Sequence, residues 1–263
     1  MGGAMLAGWL AGGFDPAAFT VIDPYLAQAP AGIRLLDAAP AEAAADVVLL
    51  GFKPYQLVSA AAEIAPLVGN TTLVLSILAG VDLATLRATF PQAGAIVRVM
   101  PNLAAAMGKS PIGLFGDGVD TSIGASARGR TEALMAPLGH AEWLAQESDM
   151  DLITALVGSG PAFIYRVIDA LASGAAALGL PREQADRLAL AMVEGAAQLA
   201  AASPHDPAEL ARRVASPGGT TQAGLDALDA GGRLSALMED TLKGARDRSA
   251  EMTAEAVQAL SGA

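Results

Sequence analysis

The sequence contains no cysteine, which alone excludes disulfides, thiolate catalysis and zinc–cysteine sites. Its two histidines, His140 and His205, are too few and too far apart for a multi-histidine metal site. Aromatic residues make up only 4%, so the core must be packed with Ala, Leu, Val and Met. Basic residues are in the minority: 16 Lys plus Arg against 27 Asp plus Glu give a net charge of −11. A surface of that sign repels phosphate backbones and argues against a nucleic-acid partner. The N-terminus, MGGAMLAGWLAGGFDP, lacks a basic leader and does not read as a signal peptide. Uncharged apolar stretches such as Ile64 to Val81 are broken by Pro66, Gly69 and Asn70, so they read as turns between core elements and not as membrane spans. The expectation is a cytoplasmic protein with no membrane partner. What is present is apolar bulk. Hydrophobic residues make up 53%, enough to exclude disorder. At roughly 150 residues per domain, a chain of 263 makes one large domain or two moderate ones.

The first half alternates short apolar runs with helix-like segments. Strands are predicted at Phe19 to Ile22, Asp46 to Gly51, Leu73 to Ile77, Ala95 to Met100, Ile112 to Phe115 and Ala141 to Ala145. Helices are predicted at Gly3 to Leu10, Tyr55 to Leu67, Leu83 to Phe90 and Ile123 to Leu138. Apolar runs without polar alternation fit parallel strands covered on both faces. This rhythm predicts an α/β, doubly wound, Rossmann-like parallel sheet over residues 1–147. No convincing strand follows, so residues 148–263 are expected to form an all-α domain. Arg182 to Ala202 carries Ala185, Leu188, Met192, Ala196 and Leu199 at helical spacing. Pro181 stands at its predicted first position after a stop at Gly179, with Glu183 in the first turn. Asp206 is the expected N-cap of a helix opened by Pro207. Arg233 to Leu260 reads as a further long helix or helix pair.

Several segments can carry chemistry. Lys53-Pro54, Ala79-Gly80 and Pro101-Asn102 each follow a predicted parallel strand. Doubly wound sheets bind ligands at that end of their strands, and three such loops in register point to a cofactor crevice. Asp23 ends the first predicted strand. It fits either an acid holding ribose hydroxyls or a plain Asp-Pro turn. Gly158-Ser159-Gly160-Pro161-Ala162-Phe163 interrupts a helix-like stretch. It reads either as a turn leading into the next helix or as backbone that must approach a ligand or another helix closely. Ser216-Pro217-Gly218-Gly219-Thr220-Thr221 is a glycine turn that opens a helical run. Free N–H groups at such a start suit a carboxylate or phosphate, and the threonine hydroxyls can hold a ring nitrogen. The alternative is an ordinary N-cap by Thr220 or Thr221.

In order along the chain, these segments resemble the pyrroline-5-carboxylate reductase family. MGGAML is similar to the end of its G-x-G-x-M-G-x-A loop, and Phe52-Lys53-Pro54 to its V-K-P. Ser76 to Gly80 is similar to S-x-x-A-G, Arg98 to Asn102 to R-x-M-P-N, Gly158 to Phe163 to G-S-G-P-A-[YF], and Ser216 to Thr221 to S-P-G-G-x-T. The resemblance implies hydride transfer from NADPH or NADH to the C=N carbon of a small cyclic imine, giving L-proline without a metal. It implies that Thr221 is catalytic and holds the imine nitrogen, with Ser216, Gly219, Thr220 and Thr221 binding substrate. It also implies a cofactor site made by Met1, Gly2, Gly3, Asp23, Phe52, Lys53, Pro54, Ala79, Gly80 and Asn102. Its members form dimers through the helical domain, often assembled into decamers. Val157 departs from the family's usual serine, and Arg213 stands where family members often carry asparagine, so Arg213 is left unassigned.

The family's first strand and the first two glycines of its loop have no counterpart here. The natural protein is therefore expected to extend roughly ten residues upstream, with a strand running into G-x-G. Folded as given, the sheet should have an open slot beside Phe19 to Ile22, or another segment should fill it, and pyrophosphate affinity should be weak. Two alternatives remain. One is a non-catalytic dimeric homologue that has lost cofactor binding. The other is a hydroxyacid-type dehydrogenase, which the lack of lysine between Asp149 and Leu178 disfavours.

Overall fold

The computed structural model describes residues 1–40, 44–119 and 124–261. Its Cα packing divides the chain into two compact units, one of residues 1–158 with 244–263 and the other of 159–243.

The first unit opens with helix α1 (Gly2–Ala11), which buries Met5 and Trp9. Gly8 lets this helix lie directly on backbone: a Cβ there would sit 2.1 Å from the Ala105 carbonyl oxygen and 2.6 Å from Leu138 Cδ2. The Trp9 indole N–H donates to the Leu134 carbonyl at 2.6 Å, which satisfies the one polar atom the ring brings inside. Next come strands β1 (Thr20–Ile22), β2 (Arg34–Leu36) and β3 (Val47–Leu50), helix α2 (Leu57–Ile64), strand β4 (Leu73–Ser76), helix α3 (Leu83–Thr89) and strand β5 (Ala95–Met100). Strand β6 (Ser110–Asp117), helix α4 (Gly124–Met135) and strand β7 (Gly139–Trp143) complete the alternating region. Ile123, where the sequence starts its fourth helix, lies outside the described residues.

The main sheet has the order β3-β4-β5-β6-β7. Strands β3, β4 and β5 are parallel, with Val47 opposite Leu73 and Leu73 opposite Ala95. Strand β6 departs from the all-parallel expectation by running antiparallel to β5, with Met100 opposite Gly113. The link between them is a single 3-10 turn, Leu103–Met107. A parallel crossover needs about a dozen residues or more, and a link this short can only reverse the chain. β6 is also longer than the predicted Ile112 to Phe115. β7 returns parallel to β6 after the α4 crossover.

Two faces of this sheet are buried. Leu73, Leu75, Ala95, Val97 and Val99 face one cluster with Met5, Trp9, Met135 and Leu138. Val74 and Ile96 face another with Leu50, Leu57, Leu86 and Phe90. The side-chain period of two sends alternate residues to opposite sides, which is why these strands read as unbroken apolar runs.

β1 pairs in parallel with β2, Thr20 opposite Arg34, in a sheet of its own. β2 has no counterpart in the sequence reading, because RLL is too short and too mixed to show a period. Among the described residues β1 pairs only with β2, and β3 only with β4, so a strand-free edge lies beside β1 as expected.

Helix α5 (Asp149–Ile153) leads into a π-turn, Thr154–Ser159, and then into helix α6 (Gly160–Ala177). Helices α7 (Arg182–Ala202), α8 (Pro207–Val214), α9 (Thr220–Asp229) and α10 (Arg233–Ser261) follow. Pro181 is the N-cap of α7 and Arg182 its first residue, one position later than the sequence indicates. The Asp206 carboxylate caps α8 as expected, accepting from the Glu209 N–H at 2.8 Å. In the helical unit α6 and α7 meet through Ala172, Ala185 and Ala189. The run Asp149–Ala177 is long and apolar enough, by length and composition, to cross a membrane.

Candidate active site

Parallel register brings the carboxyl ends of three strands level, with Leu50 opposite Ser76 and Ser76 opposite Arg98. The loops that leave them carry the cofactor residues expected from sequence. α1 starts against the first of these loops, where a Cβ on Gly2 would lie 3.9 Å from Gly51 Cα. Met1 is the N-cap of α1 and makes no side-chain cap, and no acidic residue stands in the first turn. The Met1 carbonyl accepts from Ala4 and Met5, while the N–H groups of Gly2 and Gly3 have no acceptor inside the helix. A helix start of this kind attracts anions.

Phe52 packs against the second core cluster. Lys53 is exposed, and its backbone N–H donates to Gln56 Oε1 at 2.9 Å. Pro54 opens the 3-10 turn Pro54–Gln56. Ala79 is half-buried beside Gly80, whose φ of +75° is a glycine conformation. A Cβ on Gly80 would stand 3.2 Å from the Met252 carbonyl, a tight approach that adds to the demand made by φ. Asp23 sits at the end of β1, its N–H donating to the Leu36 carbonyl at 3.0 Å. One carboxylate oxygen accepts from the Tyr25 N–H at 2.9 Å. The Asp-Pro turn is therefore formed, and the second carboxylate oxygen has no hydrogen bond among the described residues. Asn102 is buried, with its side chain engaged at both ends.

In the helical unit, the loop Ser216 to Gly219 turns through Gly218 at φ +72° and closes with Gly219 N–H on the Ser216 carbonyl at 2.9 Å. Gly219, not a threonine, is the N-cap of α9, and no side chain caps this helix. Thr220 and Thr221 are thus its first two residues. Neither hydroxyl makes a hydrogen bond among the described residues, and Thr221 is half-buried. The ordinary use of threonine as an N-cap is not what this turn does. It presents uncapped N–H groups and a free hydroxyl, the pair needed to hold a carboxylate and a ring nitrogen.

One cluster escaped the sequence reading. Arg98 on β5 is buried, and its Nη1 lies 2.7 Å from Glu147 Oε1. The same oxygen accepts from the Leu83 N–H at 2.7 Å, at the start of α3. The partners are 49 residues apart, and local pattern carries no trace of such a pair. The histidines play the plain roles expected of them: His140 is exposed and 2.7 Å from Glu142, and His205 lies in a turn closed by Ser203.

Residues 147–252 match the family model for pyrroline-5-carboxylate reductase dimerisation, and residues 20–127 match that for ketopantoate reductase PanE/ApbA. A pyrroline-5-carboxylate reductase of Pseudomonas aeruginosa is 37% identical over 258 residues, covering 96% of this chain and 93% of that protein. One from Methanosarcina acetivorans is 35% identical over 261 residues, covering 96% and 94%. The solved structure of a pyrroline-5-carboxylate reductase from Coxiella burnetii superposes with a TM-score of 0.86 at 29% identity, covering 96% of this chain and 94% of the other. With relatives this similar over nearly its whole length, the chain belongs to the pyrroline-5-carboxylate reductase family.

Proposed function

We propose that this protein reduces the C=N bond of 1-pyrroline-5-carboxylate to give L-proline, with NADPH or NADH as reductant. The observation that carries the reading is the uncapped start of α9 with its free Thr221 hydroxyl. A helix N-terminus binds the substrate carboxylate through open backbone N–H groups, here those of Thr220 and Thr221, while the Gly219 N–H is held by the Ser216 carbonyl and these two residues shape the turn beside them. The Thr221 hydroxyl holds the imine nitrogen, which must be protonated or strongly hydrogen-bonded before its carbon accepts a hydride. Reduced nicotinamide, when bound, supplies that hydride. Catalysis is then positioning and electrostatics, which need neither a thiol nor a metal.

Met1, Gly2 and Gly3 suit the pyrophosphate, since they form an uncapped helix start. Phe52, Lys53 and Pro54, then Ala79 and Gly80, border the same strand ends, as does Asn102, whose side chain is already engaged by Val157 and Ala104. The free oxygen of Asp23 suits a ribose hydroxyl. The exposed apolar side chains of the helices, Leu188, Met192 and Leu199 among them, favour a second copy of the chain over a bilayer as their cover. The working form is then a cytoplasmic homodimer, with a decamer as the family's larger assembly.

Steady-state reduction of pyrroline-5-carboxylate by Thr221→Ala tests the assignment. Loss of one positioned hydrogen bond lowers kcat by about ten- to a thousandfold. Thr221→Ser retains the hydroxyl and is much milder. Unchanged kcat in folded Thr221→Ala removes the role. Comparing kcat/KM for NADPH and NADH tests Asp23, because a carboxylate at the ribose repels a 2′-phosphate and leaves NADH usable. A strong NADPH preference removes Asp23 from the ribose.

A further inference from the structure

The residue four places after Val157 is Pro161. An α-helix would satisfy the Val157 carbonyl with the N–H of residue 161, and proline has none. Val157 is buried, so water does not replace the missing donor. The bond comes instead from another element: the Asn102 Nδ2 donates to the Val157 carbonyl at 3.1 Å. The orientation of that amide is fixed from its other end, because Oδ1 accepts from the Ala104 N–H at 2.9 Å. The backbone N–H of Asn102 donates in turn to the fully buried Ser110 Oγ at 2.9 Å. Asn102 is thus tied to the 3-10 turn, to β6 and to the chain around Val157. There the helical run widens into the π-turn Thr154–Ser159, which takes in the start of the Gly158-Ser159-Gly160 segment. π-turns recur at functional sites because they turn backbone groups out of the regular ladder.

We propose that Asn102 is a positioning residue. It supplies the hydrogen bond that Pro161 cannot, holds the π-turn open and sets the backbone geometry at Gly158–Gly160, and through that geometry it supports turnover. Its side chain acts through Val157 and not on the cofactor. The same 3-10 turn that Asn102 caps carries the Ala105 carbonyl against which Gly8 of α1 packs. One polar side chain therefore ties the turn beneath α1 to the chain at Val157. The proposal rests on the reductase reading for its kinetic arm, while its thermal arm stands without it.

The experiment compares Asn102→Ala, Pro161→Ala and the double variant in the full-length oligomer. Three readouts are used: Tm, Kd for NADPH and NADH by fluorescence titration, and kcat and KM for pyrroline-5-carboxylate. Asn102→Ala is expected to lower Tm and to lower kcat by about a hundredfold, the scale of a misplaced reacting geometry, with cofactor Kd within about twofold. In the double variant, the alanine that replaces Pro161 provides the N–H and an ordinary α-turn. Its Tm is expected to recover toward wild type while kcat stays low. If Asn102→Ala does not fold, the double variant is compared directly with Pro161→Ala and wild type. Recovery of kcat together with Tm would show that the π-turn geometry is not needed. A cofactor Kd weakened tenfold with kcat retained would make Asn102 a direct cofactor ligand. No recovery of Tm would break the exchange between Asn102 and Pro161, and an Asn102→Ala enzyme with wild-type kcat would overturn the proposal outright.

Discussion

The sheet unit encloses Phe90, Met5, Leu75 and Ile96 completely within one chain. The helical unit buries Ala172, Ala185 and Ala189, while Leu188, Met192 and Leu199 of α7 stand half or more exposed. Alanine allows α6 and α7 to approach closely, but each methyl removes little apolar area from water. The large side chains that would supply that area point away from the pair. One unit therefore closes its own core, and the other carries the larger part of its hydrophobic surface outward. An apolar surface of that kind supports the second copy proposed above as its cover, and residues 147–252 match a dimerisation family.

The largest effect is expected from attacking the outward surface. Met192→Glu places a charge among apolar groups at the proposed interface, where its desolvation is strongly unfavourable. The protein should become monomeric at micromolar concentration by sedimentation, and kcat/KM should fall at least about tenfold as the helical unit loosens. A dimeric, fully active Met192→Glu would erase the contrast between the units. Next comes the enclosed core. Leu75→Ala should cost about 2–5 kcal/mol, as buried leucine truncations do. The loss should not depend on protein concentration if the sheet unit closes its own core. Denaturant titration at two concentrations separates these cases.

The smallest effect belongs to the ion pairs on the helical surface. Arg182 reaches Asp169 at 2.6 Å, Ser173 at 2.9 Å and Asp186 at 2.8 Å. The hydrogen bond from Arg182, helped by the charge of Arg166, holds the Asp169 carboxyl below its ordinary value of 3.8. A depressed carboxylate stabilises the fold above its unfolded pKa, and that contribution disappears as pH falls through the folded one. The Tm difference between wild type and Asp169→Asn should be small at neutral pH, since such pairs are exposed. It should begin to shrink below about pH 4 and vanish only once the pH has fallen through the lower, folded value. A difference that persists in acid would mean that Asp169 acts through packing and not through charge.

How much of this was legible in the sequence depended on the range of each interaction. β3, β4 and β5 were readable because both faces of each strand are covered, leaving continuous runs such as AIVRVM. Caps were readable because Asp206 and Glu209 act over three residues. The direction of β6 was not, since a run of apolar residues says nothing of polarity and only the short Leu103–Met107 link decides it. β2 was too short for any period to show. Of the site, the glycine turn before Thr221 was visible, whereas the Arg98–Glu147 pair and the bond from Asn102 to Val157 join residues 49 and 55 apart. The π-turn was hidden for the same reason: Pro161 marks a lost donor, but only the folded chain shows which group replaces it.

Helix α10 gives the chain a particular order of completion. Its later residues belong to the sheet unit: Ser249 Oγ bonds Asp151 Oδ1 at 2.7 Å, and the Met252 backbone lies against Gly80. A ribosome delivers Met252 long after Gly80, for 252 − 80 = 172 residues separate them. At about 5–20 residues per second that interval is roughly 10–30 s. Throughout it the loop after β4 lacks the helix that covers it, and the whole helical unit is synthesised meanwhile. The sheet unit is thus begun first and sealed last. A chain released before Ser249 would carry every strand and yet lack the piece that closes the sheet unit.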